Sequence, residues 1–475
     1  MLAAHLKEMV VASGRRICSR SSGQQHTMMM SMTTTMRQRQ RVAGVVAARA
    51  SSRQSSSSSA AASSAAEPAV STAGGAFASV DMAPADPILG VSEAFKRDVS
   101  DAKLNLGVGA YRTDELKPYV LSVVRKAEQR ELERNENKEY LPIEGLAAFR
   151  SATAELLLGR DSEVIRDERI ATVQGLSGTG SLRLGAALIA KYMAGTTVYI
   201  PQPTWGNHRN IFSDAGLEWK YYRYYDPATI DLDIDGLLSD LREAPAKSVV
   251  VLHGCAHNPT GCDPTPEQWE QIATVCLERG HIPFFDVAYQ GFASGDLIKD
   301  AAAPRLFAKK GMEMMVTQSY SKNLGLYAER IGALNVIVAS KDVADKVLSQ
   351  VKRIARAMYS NPPVHGARIV AEVVQNEDLF NEWNQEMGAM AGRIMEVRSE
   401  LVKALQERMP ERDWTFITRQ IGMFSFTGLT EAQVGNMTGK HHVYMTKDGR
   451  ISLAGLNLAK VGALADAIVD SVKNF

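Results

Sequence analysis

Residues 170–190 read IATVQGLSGTGSLRLGAALIA, a sequence with the pattern of a strand, a turn and a helix. The apolar run 170–173 is typical of a buried strand, a glycine-rich turn follows, and residues 182–190 have the apolar density of a packed helix. Further short β-prone runs, separated by helical stretches, occur at 197–200, 249–253, 282–286, 314–317 and 333–338. This alternation predicts an α/β fold with a mostly parallel sheet that is flanked by helices on both faces.

The C-terminal part has a different pattern. Apolar residues recur at helical spacing at Ile394, Val397, Leu401, Leu405 and Met409. Residues 416–417 and 423–426 are expected to be strands, and Asp448-Gly449 between two β-prone runs predicts a hairpin over 444–453. We therefore expect a smaller α+β domain here.

The N-terminal segment differs in composition from the rest of the chain. Residues 1–66 have Glu8 as their sole acidic residue and are rich in arginine, serine, alanine and methionine. This composition is typical of an organelle transit peptide, and the apolar runs are too short for a signal-peptide core or a membrane span. We expect residues 1–80 to be such a peptide, with a disordered regulatory tail as the alternative.

Charge and cysteine content narrow the class of protein further. The formal net charge is +1, so nothing in the totals indicates a nucleic-acid or membrane partner. Cys18 lies in the expected transit peptide, which leaves Cys255, Cys262 and Cys276 without a Cys-x-x-Cys pair. This pattern favours a reducing compartment.

The glycine-rich loop 175–181 indicates a phosphate site. Glycines let the backbone approach a ligand closely, and the N-terminus of the following helix presents free N–H groups to an anion. Ser181 stands where a P-loop needs lysine, and Arg183 stands where a dinucleotide fingerprint needs its third glycine. A nucleotide-binding module that uses this loop remains the alternative from a different class.

A second polar cluster could imitate a zinc site. His253, Cys255 and His257 alternate on the expected strand, and Cys262 is near them in sequence. No second ligand pair has metal spacing, so alternating core residues explain the pattern and no metal is expected. Asn258 follows in a turn, where an Asx-turn competes with a role in donating to a ligand.

Lys322 lies between small polar residues, and Arg330 follows it. Upstream, an expected strand ends at Asp286, with Tyr289 just beyond it. An amine, a carboxylate, a phenol and an arginine together suit pyridoxal phosphate, which needs an amine for its aldehyde, a carboxylate for its ring nitrogen and cations for its phosphate.

The order of motifs along residues 82–475 resembles the aspartate aminotransferase family of fold-type I pyridoxal-phosphate enzymes. The matching segments are 105–112, 140–145, 177–180, 203–208, 257–261, 319–330, 359–363 and 449–451. The resemblance is closest to the eukaryotic branch that includes plastid isoforms.

The resemblance implies roles around the cofactor. Lys322 would bond to the cofactor aldehyde and move the proton between substrate Cα and cofactor C4′, and Asp286 would pair with the ring nitrogen. Other implied contacts are Tyr289 and Asn258 at the ring oxygen, Trp205 on the ring and His208 behind Asp286. The implied phosphate ligands are Ser177, Gly178, Thr179, Ser319 and Arg330, with Tyr140 reaching the neighbouring subunit.

The resemblance also implies the substrate. Arg450 would bind the α-carboxylate and Arg356, from the other subunit, the distal carboxylate; Arg353 is the alternative position one turn away. Gly109, Trp205 and Asn258 complete the implied substrate site. The implied enzyme is a homodimer with shared active sites that transfers the amino group between L-aspartate and 2-oxoglutarate. An aromatic or broad-specificity aminotransferase of the same family is the alternative.

The expected organisation follows from these assignments. Residues 81–117 form an N-terminal segment and part of the small domain, 118–389 the large pyridoxal-phosphate-binding domain, and 390–475 the rest of the small domain. An organelle matrix is expected, with the plastid favoured and the mitochondrion as the alternative.

Overall fold

A computed structural model describes residues 75–83 and 89–475, so most of the expected transit peptide lies outside the described residues. The chain divides into two compact units, Met1–Met82 and Ala83–Phe475. In the described part of the first unit, Gly75 and Ala78 close an exposed turn, with a 2.8 Å hydrogen bond from the Ala78 N–H to the Gly75 carbonyl.

The second unit is rich in helices. In chain order they are α1 Leu89–Arg97, α2 Ser122–Arg134, α3 Ala147–Leu158, α4 Glu163–Arg166, α5 Ser177–Tyr192, α6 Asn207–Asp214, α7 Ile234–Glu243, α8 Pro266–Arg279, α9 Ala302–Lys309, α10 Lys341–Met358, α11 His365–Gln375, α12 Glu377–Arg408, α13 Phe416–Arg419, α14 Glu431–Gly439 and α15 Leu458–Asn474. Within the described residues, no helix combines the length and the apolarity that a membrane span requires.

The strands are distributed between one large sheet and three small ones. In chain order they are β1 Leu104–Asn105, β2 Ile170–Leu176, β3 Val198–Gln202, β4 Trp219–Arg223, β5 Tyr225–Asp226, β6 Asp231–Leu232, β7 Val249–His253, β8 Ile282–Val287, β9 Met314–Ser319, β10 Ile331–Ile337, β11 Phe424–Phe426, β12 Val443–Tyr444 and β13 Arg450–Ser452. Every strand expected between residues 170 and 338 is present.

The large sheet has the strand order β2-β10-β9-β8-β7-β3-β4. Neighbours from β9 to β4 are parallel, whereas β10 is antiparallel to both β2 and β9. The prediction of a mostly parallel sheet is therefore confirmed. Strand β10 can reverse direction because a loop, residues 320–330, joins it to β9, and an antiparallel neighbour needs no crossover helix.

The sheet is buried on both faces, which explains its continuous apolar strands. In β7, Val250 and Leu252 pack into a core beneath α7, α8 and α9, whereas Val249 and Val251 face a second core beneath α5, α6 and α10. Successive side chains of a strand point to opposite faces. The carboxyl ends of β2, β3, β7, β8 and β9 consequently meet at one edge, which is where ligands of such sheets bind.

Two local predictions in the C-terminal part were wrong. Residues 416–417 begin the helical turn α13 rather than a strand, and its start is ordered by Asp413, whose carboxylate accepts from the Thr415 N–H at 2.8 Å. This short turn lets Phe416 and Ile417 both enter the core. A strand would have sent them to opposite faces.

The expected hairpin over 444–453 is also absent. A tight turn does form, since the Gly449 N–H donates to the Thr446 carbonyl at 3.0 Å. Its two arms diverge, because β12 pairs in parallel with β1 and β13 pairs antiparallel with β11. Pairing with β1 connects the N-terminal segment to the C-terminal part. The predicted domain boundary at 389–390 falls inside α12 and stays a prediction.

Arg398 of α12 is buried without a carboxylate partner among the described residues. Its guanidinium donates to the carbonyls of Ile417 at 2.7 Å, Gly422 at 2.9 Å and Phe424 at 2.5 Å. Burial lowers the pKa of Arg398 to about 9. These bonds hold the segment that leads into β11 against the long helix.

We expect Arg398→Met to lower the free energy of unfolding by about 2–4 kcal/mol, because three buried carbonyls lose their donor. Urea titration monitored by tryptophan fluorescence measures the change. Lys403→Met, at an exposed position of the same helix, is the matched control and should alter stability by less than about 0.5 kcal/mol. Equal stability of the two variants would show that these bonds contribute nothing measurable.

Candidate active site

A cavity of about 240 Å³ lies at the carboxyl edge of the large sheet. Most of the residues proposed from the sequence line it: Gly109, Ser177, Gly178, Thr179, Trp205, Asn258, Asp286, Tyr289, Ser319, Lys322 and Arg330. Lining residues without an assigned site role are Leu182, His253, Ala288, Ser321 and Tyr327. The strand ends thus bring together residues that are far apart in sequence.

Lys322 lies in the loop between β9 and β10, and its side chain reaches the cavity. Removal of the amine from bulk water lowers its pKa to about 8, an effect that the nearby Asp286 charge opposes and the Arg330 and Arg450 charges reinforce. The amine lies 5.2 Å from the centroid of the Tyr289 ring. Near pH 8 a large fraction of this lysine is therefore a neutral nucleophile.

Asp286 stands near the end of β8 and is buried. Burial alone would raise its pKa, but the hydrogen bond from His208 and the charges around it hold the pKa below its ordinary value. His208 Nε2 lies 3.1 Å from one carboxylate oxygen, and the Thr317 hydroxyl donates to the other at 3.4 Å. Asp286 is consequently an anion that can stabilise a cation in the cavity.

A chain of hydrogen bonds behind Asp286 has one consistent direction. The Asn258 N–H must donate to Nδ1 of His253 at 3.2 Å, so the proton of neutral His253 is on Nε2 and can donate to Thr204 Oγ1 at 3.4 Å. The Thr204 hydroxyl then donates to Nδ1 of His208 at 2.8 Å. His208 thus presents Nε2–H to the carboxylate of Asp286. Burial, followed by the neighbouring histidine charges, lowers the pKa of His253 and keeps it neutral.

Two residues with a left-handed backbone conformation border the cavity. Ser177 has φ 62° at the start of α5, and Arg330 has φ 53° just before β10. Side chains adopt this conformation at a cost, and such residues concentrate at functional sites. The two positions adjoin in space, because Leu176 pairs with Ile331 at the ends of their strands.

Around these residues is a cluster of hydrogen-bond donors. Ser177 Oγ lies 3.0 Å from Ser319 Oγ and 2.8 Å from Ser321 Oγ, and the Arg330 guanidinium lies 3.4 Å from Ser321 Oγ. The free N–H groups of the first turn of α5 point to the same place. Hydroxyls, backbone N–H groups and a guanidinium together form a site for a phosphate.

Asn258 lines the cavity next to Tyr289, and Arg450 lies behind it. Arg450 is buried, donates to Asn258 Oδ1 at 3.0 Å and to the Gly107 carbonyl at 2.7 Å, and lies 4.3 Å from the Phe424 ring centroid. Its Nε is buried and has no hydrogen-bond partner among the described residues. Asn258 Nδ2 lies 3.5 Å from the Tyr289 hydroxyl, and burial raises the pKa of Tyr289. A buried guanidinium with a free donor is suited to a carboxylate.

Gly109 has a steric reason to be glycine. A Cβ atom at this position would lie 2.5 Å from Cζ of Phe424, the ring that supports Arg450. Any side chain would push this ring away from the guanidinium. Gly109 therefore allows the N-terminal segment to approach the site closely.

Four residues proposed from the sequence do not line the cavity of the single chain. His208 and Arg450 are buried and contact the lining residues Asp286 and Asn258, whereas Tyr140 and Arg356 lie on the surface. Tyr140 is 84% exposed. Arg356, in the last turn of α10, is exposed and donates to Ser360 Oγ at 2.5 Å and to Asn361 Oδ1 at 3.3 Å. The alternative position, Arg353, is also exposed.

The histidine and cysteine cluster has a structural explanation. Strand β7 ends at His253, so Cys255 and His257 lie in the following loop and do not alternate on a strand as expected. The His257 ring stacks on Tyr224 with a centroid separation of 3.9 Å, and its Nδ1 lies 2.8 Å from the Thr260 hydroxyl. Among the described residues, no group of three metal-ligating side chains occurs.

The donor set fits pyridoxal phosphate. Lys322 offers the amine, Asp286 the carboxylate for the ring nitrogen, and the cluster around Ser177 and Arg330 the phosphate site. Sequence reasoning missed the positions of Ser321 and Tyr327 in the wall. Both lie in the quoted segment 319–330, but which loop side chains face a cavity depends on the path of the loop.

Comparison with known proteins gives consistent results. Residues 101–468 match the family described as Aminotransferase class I and II. The chain is 67% identical to an Arabidopsis thaliana protein named "Aspartate aminotransferase, chloroplastic", covering 84% of this chain and 88% of the relative. It is also 67% identical to "Aspartate aminotransferase P2, mitochondrial" of Lupinus angustifolius, covering 83% and 87%.

A solved structure shares the fold. The aromatic-amino-acid aminotransferase of Burkholderia pseudomallei, covalently bound to pyridoxal phosphate, is 44% identical with a TM-score of 0.81, covering 84% of this chain and 99% of that one. The family match, the relatives and the fold agree with the geometry of the cavity. The chain belongs to the class I and II aminotransferase family.

Proposed function

We propose that this chain is an aspartate aminotransferase that transfers the amino group between L-aspartate and 2-oxoglutarate, giving oxaloacetate and L-glutamate. The observation that carries the proposal is that Lys322, whose pKa is lowered to about 8, and the anion of Asp286 line one cavity together with the phosphate donors. Arg450 bonds Asn258, which lines the same cavity. The names of the Arabidopsis and Lupinus relatives support it.

Pyridoxal phosphate, when bound, supplies the aldehyde that takes up the amino group and a ring that accepts electrons. Lys322 would hold the cofactor through its amine and, once released by the substrate, would move the proton between the substrate Cα and the cofactor C4′. Its lowered pKa suits both tasks, because the neutral amine is the base. The two half-reactions use one site in turn, which makes the kinetics ping-pong.

The other residues of the site orient the cofactor and the substrate and stabilise their charges. Asp286, held as an anion by the hydrogen bond from His208, would keep the ring nitrogen protonated. Trp205 would cover the ring, and Tyr289 and Asn258 would bond its oxygen. Gly109 allows the Phe424 ring to stay against the Arg450 guanidinium.

We infer that two copies of the chain share their active sites. In one chain, Arg330 lines the cavity at the phosphate donors and Arg450 bonds the lining residue Asn258, whereas Arg356 and Tyr140 are exposed at the surface, where a neighbouring copy can contact them. Arg450 then binds the α-carboxylate and the partner's Arg356 the distal carboxylate. A planar guanidinium meets a carboxylate at two points, so this pair selects dicarboxylic amino acids and 2-oxo acids.

An aromatic or broad-specificity aminotransferase is the second candidate. The solved structure from Burkholderia pseudomallei carries the name of an aromatic-amino-acid enzyme and shares the fold. Equal kcat/KM values for aspartate and phenylalanine would favour this candidate.

An organelle matrix is the proposed location. The acid-poor, arginine-rich composition of residues 1–66 supports a transit peptide. The two relatives named above are chloroplastic and mitochondrial by name. The plastid is favoured, with the mitochondrion as the alternative.

Borohydride reduction of the protein loaded with pyridoxal phosphate should leave a stable cofactor adduct on Lys322, found by peptide mapping. Lys322→Ala should abolish both the adduct and the transamination. Lys309→Ala, at an exposed position, is the matched control and should retain both. An unmodified Lys322 in the loaded wild-type protein would refute the proposed function.

The rate at which cofactor-free protein captures pyridoxal phosphate should rise with pH, with its midpoint near pH 8, because the neutral Lys322 amine is the attacking form. The Asp286 charge raises the pKa of this lysine, so Asp286→Asn should move the midpoint to lower pH. Stopped-flow absorbance measures the rate. The exposed Asp235→Asn variant should match the wild type, and a midpoint of Asp286→Asn at higher pH would contradict the assignment.

Arg356→Met should lower kcat/KM for aspartate by about a hundredfold or more. The distal carboxylate of the substrate loses its charged partner, and the lost interaction corresponds to roughly 3–5 kcal/mol of binding free energy. Phenylalanine has no distal carboxylate, so its kcat/KM should change by less than about threefold. Arg450→Met should reduce both values. Arg353→Met is the control one turn away and should leave both values unchanged.

The same variants test the sharing of sites. Mixed dimers of Lys322→Ala and Arg356→Met chains contain one site that has both native residues. Mixing after reversible dissociation should therefore restore aspartate activity well above that of either parent. Failure to restore activity in verified mixed dimers would place Arg356 in the site of its own chain.

A further inference from the structure

The phenol of Tyr327 lies between two segments of the chain that border the cavity. Tyr327 belongs to the loop 320–330 and lines the cavity with Lys322. Its hydroxyl oxygen accepts a hydrogen bond from the backbone N–H of Tyr111 at 3.1 Å. Tyr111 follows Gly109 by two positions, so the phenol joins the cofactor loop to the segment that forms the opposite wall.

Tyr327 is also tied to the phosphate end of the cavity. Its backbone carbonyl accepts from the Arg330 guanidinium at 2.8 Å. One residue therefore contacts both the phosphate-binding arginine and the segment 107–112. The Tyr327 side chain has only two rotatable bonds, so a movement of the loop 320–330 would shift Tyr111.

On its other side, Tyr111 is connected to α12. The Arg393 guanidinium lies 5.2 Å from the centroid of the Tyr111 ring and donates to the carbonyls of Arg112 at 2.9 Å and Leu456 at 3.2 Å. The segment 107–112 is thus held by α12 on one side and by the Tyr327 phenol on the other.

The chemistry of the phenol suits this position. Burial raises the pKa of Tyr327, so it is neutral and its oxygen accepts the Tyr111 N–H. Within residues 89–475, the Tyr111 N–H donates to the Tyr327 hydroxyl oxygen and to no backbone carbonyl. The Tyr111 N–H is partly buried, so loss of this acceptor has a cost, and the bond to the phenol favours one position of the segment 107–112.

We propose that Tyr327 is a positioning residue that sets the distance between the Gly109 segment and the cofactor loop, and through it the affinity for dicarboxylate substrates. The inference rests on the proposed function, because it assigns the Gly109 side of the cavity to the substrate. The segment 107–112 also accepts a bond from Arg450 at Gly107, so its position affects the guanidinium that binds the α-carboxylate. Cofactor binding, which depends on the opposite wall, should change little.

Tyr327→Phe tests this directly, because it removes the hydroxyl and keeps the ring. Hydrogen exchange measured by mass spectrometry on peptides that cover 107–113 should show faster exchange at the Tyr111 amide in the loaded enzyme. The dissociation constant of succinate, a dicarboxylate that cannot transaminate, should rise about 3–10-fold in an absorbance titration, the equivalent of one lost hydrogen bond. The dissociation constant of pyridoxal phosphate should stay within about twofold of the wild type.

Tyr119→Phe is the matched control. Its ring packs edge-on against Tyr111 at 5.9 Å, but its hydroxyl donates to Glu386 at 2.9 Å, away from the cavity. This variant should leave both the exchange of the Tyr111 amide and the affinity for succinate as in the wild type.

Unchanged exchange and unchanged succinate affinity in Tyr327→Phe would overturn the inference, as would an equal effect of Tyr119→Phe. Loss of cofactor affinity with unchanged succinate affinity would assign Tyr327 to the cofactor instead. Failure of the proposed function is distinguishable, since the wild-type enzyme would then bind no pyridoxal phosphate at Lys322.

Discussion

The site depends on a pair of charged groups that the protein removes from bulk water. An isolated buried amine loses its proton and an isolated buried carboxylate gains one, because each charge is poorly solvated. Here Lys322 shows the first effect, with a pKa of about 8, whereas Asp286 resists the second because His208 donates to it. The result is an amine that readily loses its proton, close to a carboxylate that stays charged. A carbonyl cofactor with a ring nitrogen requires this combination.

The geometry of the sheet makes this pair possible. Asp286 ends a parallel strand, and Lys322 lies in a loop that reverses the chain between β9 and β10. The same reversal puts Arg330 next to Ser177, both with left-handed backbones at adjoining strand ends. The two residues with strained backbones therefore lie where the phosphate donors converge. Backbone strain at this place serves ligand binding.

Local sequence predicted the large sheet well and the C-terminal part less well. Runs such as 249–253 are buried on both faces, so their composition alone specifies a strand. The hairpin at Asp448-Gly449 failed because strand β1, far away in sequence, pairs with β12, and β11 pairs with β13. The helical turn at Phe416 was missed because two apolar residues fit a short strand and a short helix equally well. The hydrogen bond from the Thr415 N–H to the Asp413 carboxylate, which orders the chain before the turn, is not apparent from the apolar pattern.

The fold class, the cofactor chemistry and the candidate residues Lys322, Asp286, Tyr289 and Arg330 could be predicted from the sequence, because they rest on residue type, on the ends of apolar strands and on the order of the family's motifs. How those residues are activated depends on the tertiary structure. The lowered pKa of Lys322, the direction of the His208 chain, the free Nε of Arg450 and the place of Tyr327 between two walls all depend on burial and on partners distant in sequence. Desolvation and hydrogen-bond geometry are properties of packed neighbours, and a linear pattern does not contain them.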